Sequence, residues 1–312
     1  MNLNSSMKHF QHLYDNYLIR PANSIQHPPF RTHFIGHNMF DKIFSLEQPI
    51  DVQDEFLEEY LKWIQSSKLN SFTGLEKFAN RYVSVGVTQA IDDFILFCFK
   101  TNRRLRIFKG EYPYSRESSQ IPWYHEAIDD IELVSGDAVI ISCPFSATGD
   151  KHPKWDWLIE ECTRLEIPVF VDAAFFGTCR DITVDFSAPC IDTVSFSPTK
   201  GLNCGNFRTG IAFTNRSKGL CSLDILTQHH HGVHMHTALA LELMKNFGPD
   251  TIPEAYTGIQ KQVCDHYGLI PTKTMHLALG GEGWEHFTRD STCNRIGIRI
   301  PCADLYKGKE LK

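Results

Sequence analysis

Between about residue 85 and residue 215 the chain alternates short apolar runs with amphipathic stretches, and this alternation leaves few folds open to it. An apolar run too short for a helix, bounded by turn residues, suits a strand buried on both faces of a parallel sheet. The amphipathic stretch between two such runs then supplies the crossover. On this basis the sequence predicts strands at 105–108, 138–142, 169–172, 193–196 and 211–214, all within one parallel arrangement. Between the second and third, HPKWDWLIEECTRLEI sets Trp157, Leu158, Cys162 and Leu165 on an approximate helical stripe, with Pro153 suited to the first turn. The unit is βαβ.

Helical spacing also marks both flanks. In DEFLEEYLKWIQSSK the residues Phe56, Leu57, Tyr60, Leu61 and Ile64 share one face, and HTALALELMKNFG forms a mostly apolar helix stopped by Gly248 and Pro249. Beyond residue 225 the alternation weakens, and beyond 250 polar residues become more frequent. The expected organisation is an N-terminal arm over 1–45, a large α/β domain over 46–225, and an interface helix with a reduced small α/β domain over 226–312.

Charge narrows the partners. With 37 acidic against 31 basic residues, a net charge of -6, the chain has no general attraction to phosphate backbones, so nucleic acid is not an expected partner. No apolar run approaches the roughly 20 residues needed to cross a bilayer, and the first residues do not form a signal peptide. Ten scattered cysteines without a CxxC pair fit small buried hydrophobes in a reducing cytoplasm better than a disulfide framework.

The chemistry is concentrated in VFVDAAFFG (169–177) and VSFSPTKGLNCGNFRTG (194–210). Asp172 closes an apolar run, and Ser197 stands three residues before Lys200, with Arg208 eight residues after it. At the carboxyl ends of parallel strands such residues converge on the crevice where open α/β sheets bind ligands. A lysine amine, an aspartate, an arginine and a serine are what pyridoxal 5'-phosphate (PLP) needs. The amine condenses with the aldehyde and later carries a proton, the carboxylate keeps the pyridine nitrogen protonated, and arginine and serine hold the phosphate.

These spacings resemble the lysine region of class I/II aminotransferases, which are fold-type I PLP-dependent enzymes of the aspartate aminotransferase superfamily, and the likeness spans roughly residues 50 to 300. Several further landmarks occur in the family's order. SVGVTQAIDD (84–93) resembles the turn that wraps the phosphate, through Gly86, Val87 and Thr88. GEYPYS (110–115) resembles the loop of the stacking aromatic, assigned to Tyr112 with Tyr114 as competitor, and SCPFSATGD (142–150) resembles the Asn-Pro-Thr-Gly loop, with Ser146 at the asparagine position. NRIGIRIP (294–301) resembles the segment that grips the substrate carboxylate, assigned to Arg295; Arg299 competes, since in a strand it would share that face. The segment Gly36, His37, Asn38 is expected at the substrate entrance.

The resemblance implies an amino-acid substrate, a homodimer, and aminotransferase activity. Three departures keep a PLP-dependent lyase, decarboxylase, or cyclase and replacement activity as the alternative. Ser146 replaces the family asparagine, Phe175 replaces a tyrosine common three residues after the aspartate, and only 95 positions separate Lys200 from Arg295. The first two remove or shorten hydrogen bonds to the cofactor's phenolate oxygen. A non-catalytic descendant is disfavoured by the retained lysine, aspartate and arginine. The run from His229 to His236 has no carboxylate or cysteine at ligand spacing, and no metal is expected there.

Overall fold

The computed structural model describes residues 17–19, 21–36, 49–117, 126–216, 222–230, 233–290 and 292–312. Helices α1 (Pro28–Gly36) and α2 (Pro49–Gln65) lead to strand β1 (Ser71–Thr73) and then β2 (Asn80–Ser84). Helix α3 (Val87–Lys100), β3 (Arg104–Ile107), α4 (Pro113–Glu117), β4 (Glu126–Ala127), β5 (Asp137–Ser142), α5 (Trp155–Arg164) and β6 (Val169–Asp172) follow. After β7 (Thr183–Asp185) come β8 (Ile191–Phe196), the one-turn α6 (Pro198–Gly201) and β9 (Gly210–Thr214). The C-terminal part runs through α7 (Ser222–Gln228), α8 (His234–Asn246), α9 (Thr251–Tyr267), β10 (Leu269–Pro271), β11 (Leu277–Gly280), β12 (Thr288–Arg289), β13 (Cys293–Gly297) and α10 (Arg299–Tyr306).

Among the described residues, seven strands form the main sheet in the order β2-β9-β8-β6-β5-β3-β4. From β8 to β4 every neighbouring pair is parallel. Alternate residues of each strand enter different layers: Leu105, Ala138, Ile140 and Phe170 join α3 in one apolar cluster, while Val139, Ile141, Val169 and Val171 face the other, larger cluster. Burial on both faces is why these strands read as continuous apolar runs. Phe196, fully buried, is an aromatic hub with ring neighbours Tyr60, Phe72, Phe176, Phe186 and Phe213 at 5.6–6.4 Å between centroids. Because it directly precedes Ser197, this packing fixes where the lysine segment leaves the sheet. Phe196→Ala is expected to lower the unfolding free energy by about 3–5 kcal/mol, measured by denaturant titration.

Strand β9 departs from the all-parallel expectation. It pairs antiparallel with β8 on one side and with β2 on the other. The physical reason is its connection: between β8 and β9 the only helix is the single turn α6, too short for a crossover that would return the chain in the same direction. The chain reverses instead, and the reversal places the start of β9, not its end, beside the carboxyl ends of the parallel strands.

A second sheet, β10-β11-β13-β12, is antiparallel throughout. The arm reaches it at Ile19, which bridges to Gly297. Gly297 permits this approach, since a Cβ there would lie 2.6 Å from the Ile19 carbonyl oxygen. The strand expected through Arg299 ends at Gly297, and Arg299 opens α10, so Arg295 and Arg299 do not share a strand face. Among the described residues no helix is long and apolar enough to cross a membrane.

Candidate active site

A cavity of about 790 Å³ opens at the carboxyl ends of the parallel strands. Asp172 ends β6, Ser142 ends β5 as its register partner, Ser197 follows β8, and Glu111 follows β3. Arg208 joins them because β9 runs the other way. Of the residues singled out from sequence, Val87, Thr88, Tyr112, Ser146, Asp172, Phe175, Ser197, Lys200, Arg208 and Arg295 all line this one cavity.

One end is a cradle for an anion. Gly86 precedes α3 with φ 74° and ψ 177°, a conformation strained for any residue with a side chain, and a Cβ there would come 3.1 Å from Arg208 Nη2. Arg208 Nη2 also donates to Thr88 Oγ1 at 2.8 Å. Ser197 Oγ donates to the Thr209 carbonyl at 2.9 Å and lies 2.6 Å from Thr199 Oγ1. A guanidinium, hydroxyls and the free amides of a 14-residue helix therefore meet at one point, which suits a phosphate.

Lys200 lies on α6 beside Asp172, and each responds to the other's charge. Burial lowers the Lys200 pKa, Asp172 opposes this, and Arg208 and Arg295 lower it further. Burial raises the Asp172 carboxyl, with Lys200 and the Ala174 N–H, at 2.8 Å, working against it. Lys200 Nζ sits 5.0 Å from the centre of the Phe175 ring, which packs edge-on against the buried His276. Tyr112, 38% exposed, lines the cavity. The competitor Tyr114 also lines the cavity and stacks on Tyr112 at 6.0 Å, but its hydroxyl is committed to Asp92 at 3.0 Å.

At the other end Arg295 Nη1 donates to the Ser146 carbonyl at 2.6 Å and to Ser146 Oγ at 3.3 Å. Arg289, not anticipated from sequence, also lines the cavity and reaches Ser146 Oγ at 3.5 Å. The hairpin register explains its arrival: Arg289 pairs with Cys293, and Arg295 is two positions along on the same face. Thr199 and Asn203 were likewise missed. Asn203 gathers Ser24 Oγ at 2.7 Å and Gln26 Nε2 at 2.8 Å on its carbonyl oxygen, drawing the arm over the opening.

Glu111 was also missed, although it lies inside the quoted GEYPYS segment. Its carboxylate is fully enclosed and accepts the Tyr112 and Ser142 N–H groups, each at 2.7 Å, together with the Ser142 hydroxyl. Ser142 Oγ in turn accepts the Ser146 N–H at 2.7 Å, so one acid ties the Tyr112 and Ser146 loops together. Burial pushes the Glu111 carboxyl up to about 7, against those hydrogen bonds, with Asp172 adding to the rise. A carboxyl raised from 4.5 to about 7 binds more protons in the folded state, so its contribution to stability is full below 4.5 and lost as pH rises through 7. Glu111→Gln is expected to remove a loss on the order of 2 kcal/mol between pH 5 and pH 8, visible as a flatter pH profile of unfolding free energy than that of the parent.

One residue expected at the substrate entrance is not brought to the cavity. Gly36 ends α1 with open space around it and does not line the cavity; His37 and Asn38 lie outside the described residues. In the histidine-rich stretch, His236 Nδ1 lies 3.1 Å from the Arg208 carbonyl and His230 Nδ1 lies 3.2 Å from Gln53 Nε2. Among the described residues no group of three metal-ligating side chains forms.

No protein-family model and no curated protein sequence matches the chain. Solved structures do. MppP, in a structure soaked with the product 2-ketoarginine, aligns with TM-score 0.65 at 12% identity over 94% of this chain and 98% of its own. The histidinol-phosphate aminotransferase of Clostridium acetobutylicum aligns with TM-score 0.60 at 11% identity, over 92% and 96%. A PLP-bound C-S lyase of Staphylococcus hominis, complexed with L-cycloserine, aligns with TM-score 0.57 at 13% identity, over 81% and 77%. The chain has the fold of the aminotransferases and lyases known as fold-type I.

Proposed function

We propose that this protein is a PLP-dependent enzyme acting on an amino acid, and that it transfers the α-amino group. The observation that carries this reading is the meeting of Lys200, Asp172, Ser197 and Arg208 in one cavity, brought from the carboxyl ends of β6 and β8 and from the approach to β9. The cradle at Gly86 supports it, since a side chain there would push into Arg208 where a phosphate would be held.

When bound, the cofactor supplies an aldehyde that links covalently to an amine and a ring that draws electrons from the substrate α-carbon. Arg208, Thr88, Ser197 and the first amides of α3 would hold the phosphate, and Tyr112 would supply an aromatic ring for the pyridine to stack on. Asp172 keeps a proton on the pyridine nitrogen through its negative charge. The lowered Lys200 pKa leaves more free amine at neutral pH, which suits Nζ both as nucleophile and as acceptor of the α-proton. Arg295 fixes the α-carboxylate, oriented by its bonds to Ser146.

A second reading keeps the cofactor and changes the outcome to elimination, decarboxylation or cyclisation. Phe175 favours it: its apolar ring beside Lys200 offers no hydrogen bond to the cofactor's phenolate oxygen. Incubating the cofactor-loaded protein with single amino acids separates the two. Keto acid formed in step with the amine form of the cofactor supports transfer, whereas loss of carbon dioxide or of a side-chain group with the cofactor spectrum restored supports the second. The protein acts as a homodimer by the same resemblance, and light scattering that finds only a cofactor-bearing monomer contradicts this.

A further inference from the structure

The cavity carries more positive charge than a PLP cofactor and one α-carboxylate balance. Among the described residues Lys200, Arg208, Arg289, Arg295 and Arg299 line it, against the single carboxylate of Asp172. On the proposed reading, phosphate takes Arg208, the ring nitrogen takes Asp172, the covalent link takes Lys200, and the α-carboxylate takes Arg295. Arg289 and Arg299 are left over. Neither has an ion pair among the described residues, and the Nε of each is buried without a hydrogen-bond partner.

The nearby acids Asp290 and Glu111 partly offset the Arg289 charge, but neither forms an ion pair with it and the carboxylate of each is bonded elsewhere. Asp290 pairs with Arg116 at 3.5 Å and accepts the Gly110 N–H at 3.1 Å, and Glu111 is held by Tyr112 and Ser142. Arg289 is the better placed of the two spare cations. Its Nη2 donates to the Glu111 carbonyl at 3.1 Å, beside the Tyr112 loop, and shares the neutral Ser146 hydroxyl with Arg295. Two guanidinium groups meeting on a neutral acceptor repel each other, and each charge is expensive to keep from water without an anion. Burial, with Arg289 as the next cause, brings the Arg295 pKa down to about 9. An anion placed between them relieves the arrangement.

We infer that the substrate is a short acidic amino acid whose second anionic group, a carboxylate or phosphoryl group on the β- or γ-carbon, is held by Arg289 while Arg295 holds the α-carboxylate. The inference rests on the proposed function and deepens it. Arg299 adds to the same positive field, so amino acids with cationic side chains are disfavoured.

The test titrates the cofactor-loaded protein with aspartate, glutamate and O-phosphoserine against asparagine, glutamine and serine, and with arginine, following the absorbance of the bound cofactor. The acidic member of at least one pair is expected to bind about tenfold or more tightly than its neutral counterpart, because a charge-assisted contact is lost in the latter. In R289Q that ratio falls towards one, and R289K keeps part of it; retained cofactor absorbance checks that the variants fold. Equal or tighter binding of the neutral members or of arginine overturns the charge preference and leaves the proposed function standing. Equal weakening of both members in R289Q also overturns it, because Arg289 then belongs to the α-carboxylate grip. A cofactor-loaded protein that responds to no amino acid overturns the proposed function and this inference with it.

Discussion

Replacing Lys200 by alanine is expected to abolish the covalent hold on the cofactor and to reduce turnover by at least about a thousandfold, since one side chain serves as both nucleophile and proton carrier. The fold should survive. Lys200 sits on a single helical turn, its neighbour Gly201 packs against Gly177, and the buried hub at Phe196 is untouched. The variant should therefore still bind the cofactor through the Gly86, Ser197 and Arg208 cradle, but release it on gel filtration under denaturing conditions and give no mass adduct after borohydride treatment. Turnover comparable to the parent would remove Lys200 from the chemistry.

Asp172→Asn is expected to cost roughly 10²–10⁴ in turnover while leaving the covalent link in place, because the substitution preserves shape and removes the charge that keeps the ring nitrogen protonated. A second consequence follows from the opposed charges of the site. Asp172 is the influence that most raises the Lys200 pKa against burial, Arg208 and Arg295, so its neutralisation should shift the amine further down. The pH profile of cofactor attachment, read by absorbance, should move to lower pH in the variant. An unmoved profile with full turnover would separate Asp172 from both roles.

Much of the large sheet was legible because its strands are buried on both faces and so leave uninterrupted apolar runs, as at 138–142 and 169–172. The direction of β9 was not, since apolar content carries no sign for strand polarity; the short α6 link was the readable clue. In the C-terminal sheet the strands are two to five residues long, and Leu269–Pro271 is exposed at two of its three positions, so periodicity had little to act on. Lys200, Asp172, Ser197 and Arg208, which line one cavity, could be grouped from sequence because they sit at fixed spacings after apolar runs. Arg289 and Glu111 were missed for a different reason. Their positions depend on a hairpin register and on a buried network through Ser142, neither of which is written in local spacing. Tyr112 and Tyr114 both line the cavity, and the bond of the Tyr114 hydroxyl to Asp92, a difference between them, is not legible in local spacing.

The account depends most directly on a covalent bond between Lys200 and PLP. Borohydride reduction of the cofactor-loaded protein, followed by proteolysis and mass spectrometry, should place one pyridoxyl group on the peptide that contains Lys200. A label on another lysine, or cofactor that binds tightly and is never fixed by reduction, would contradict it.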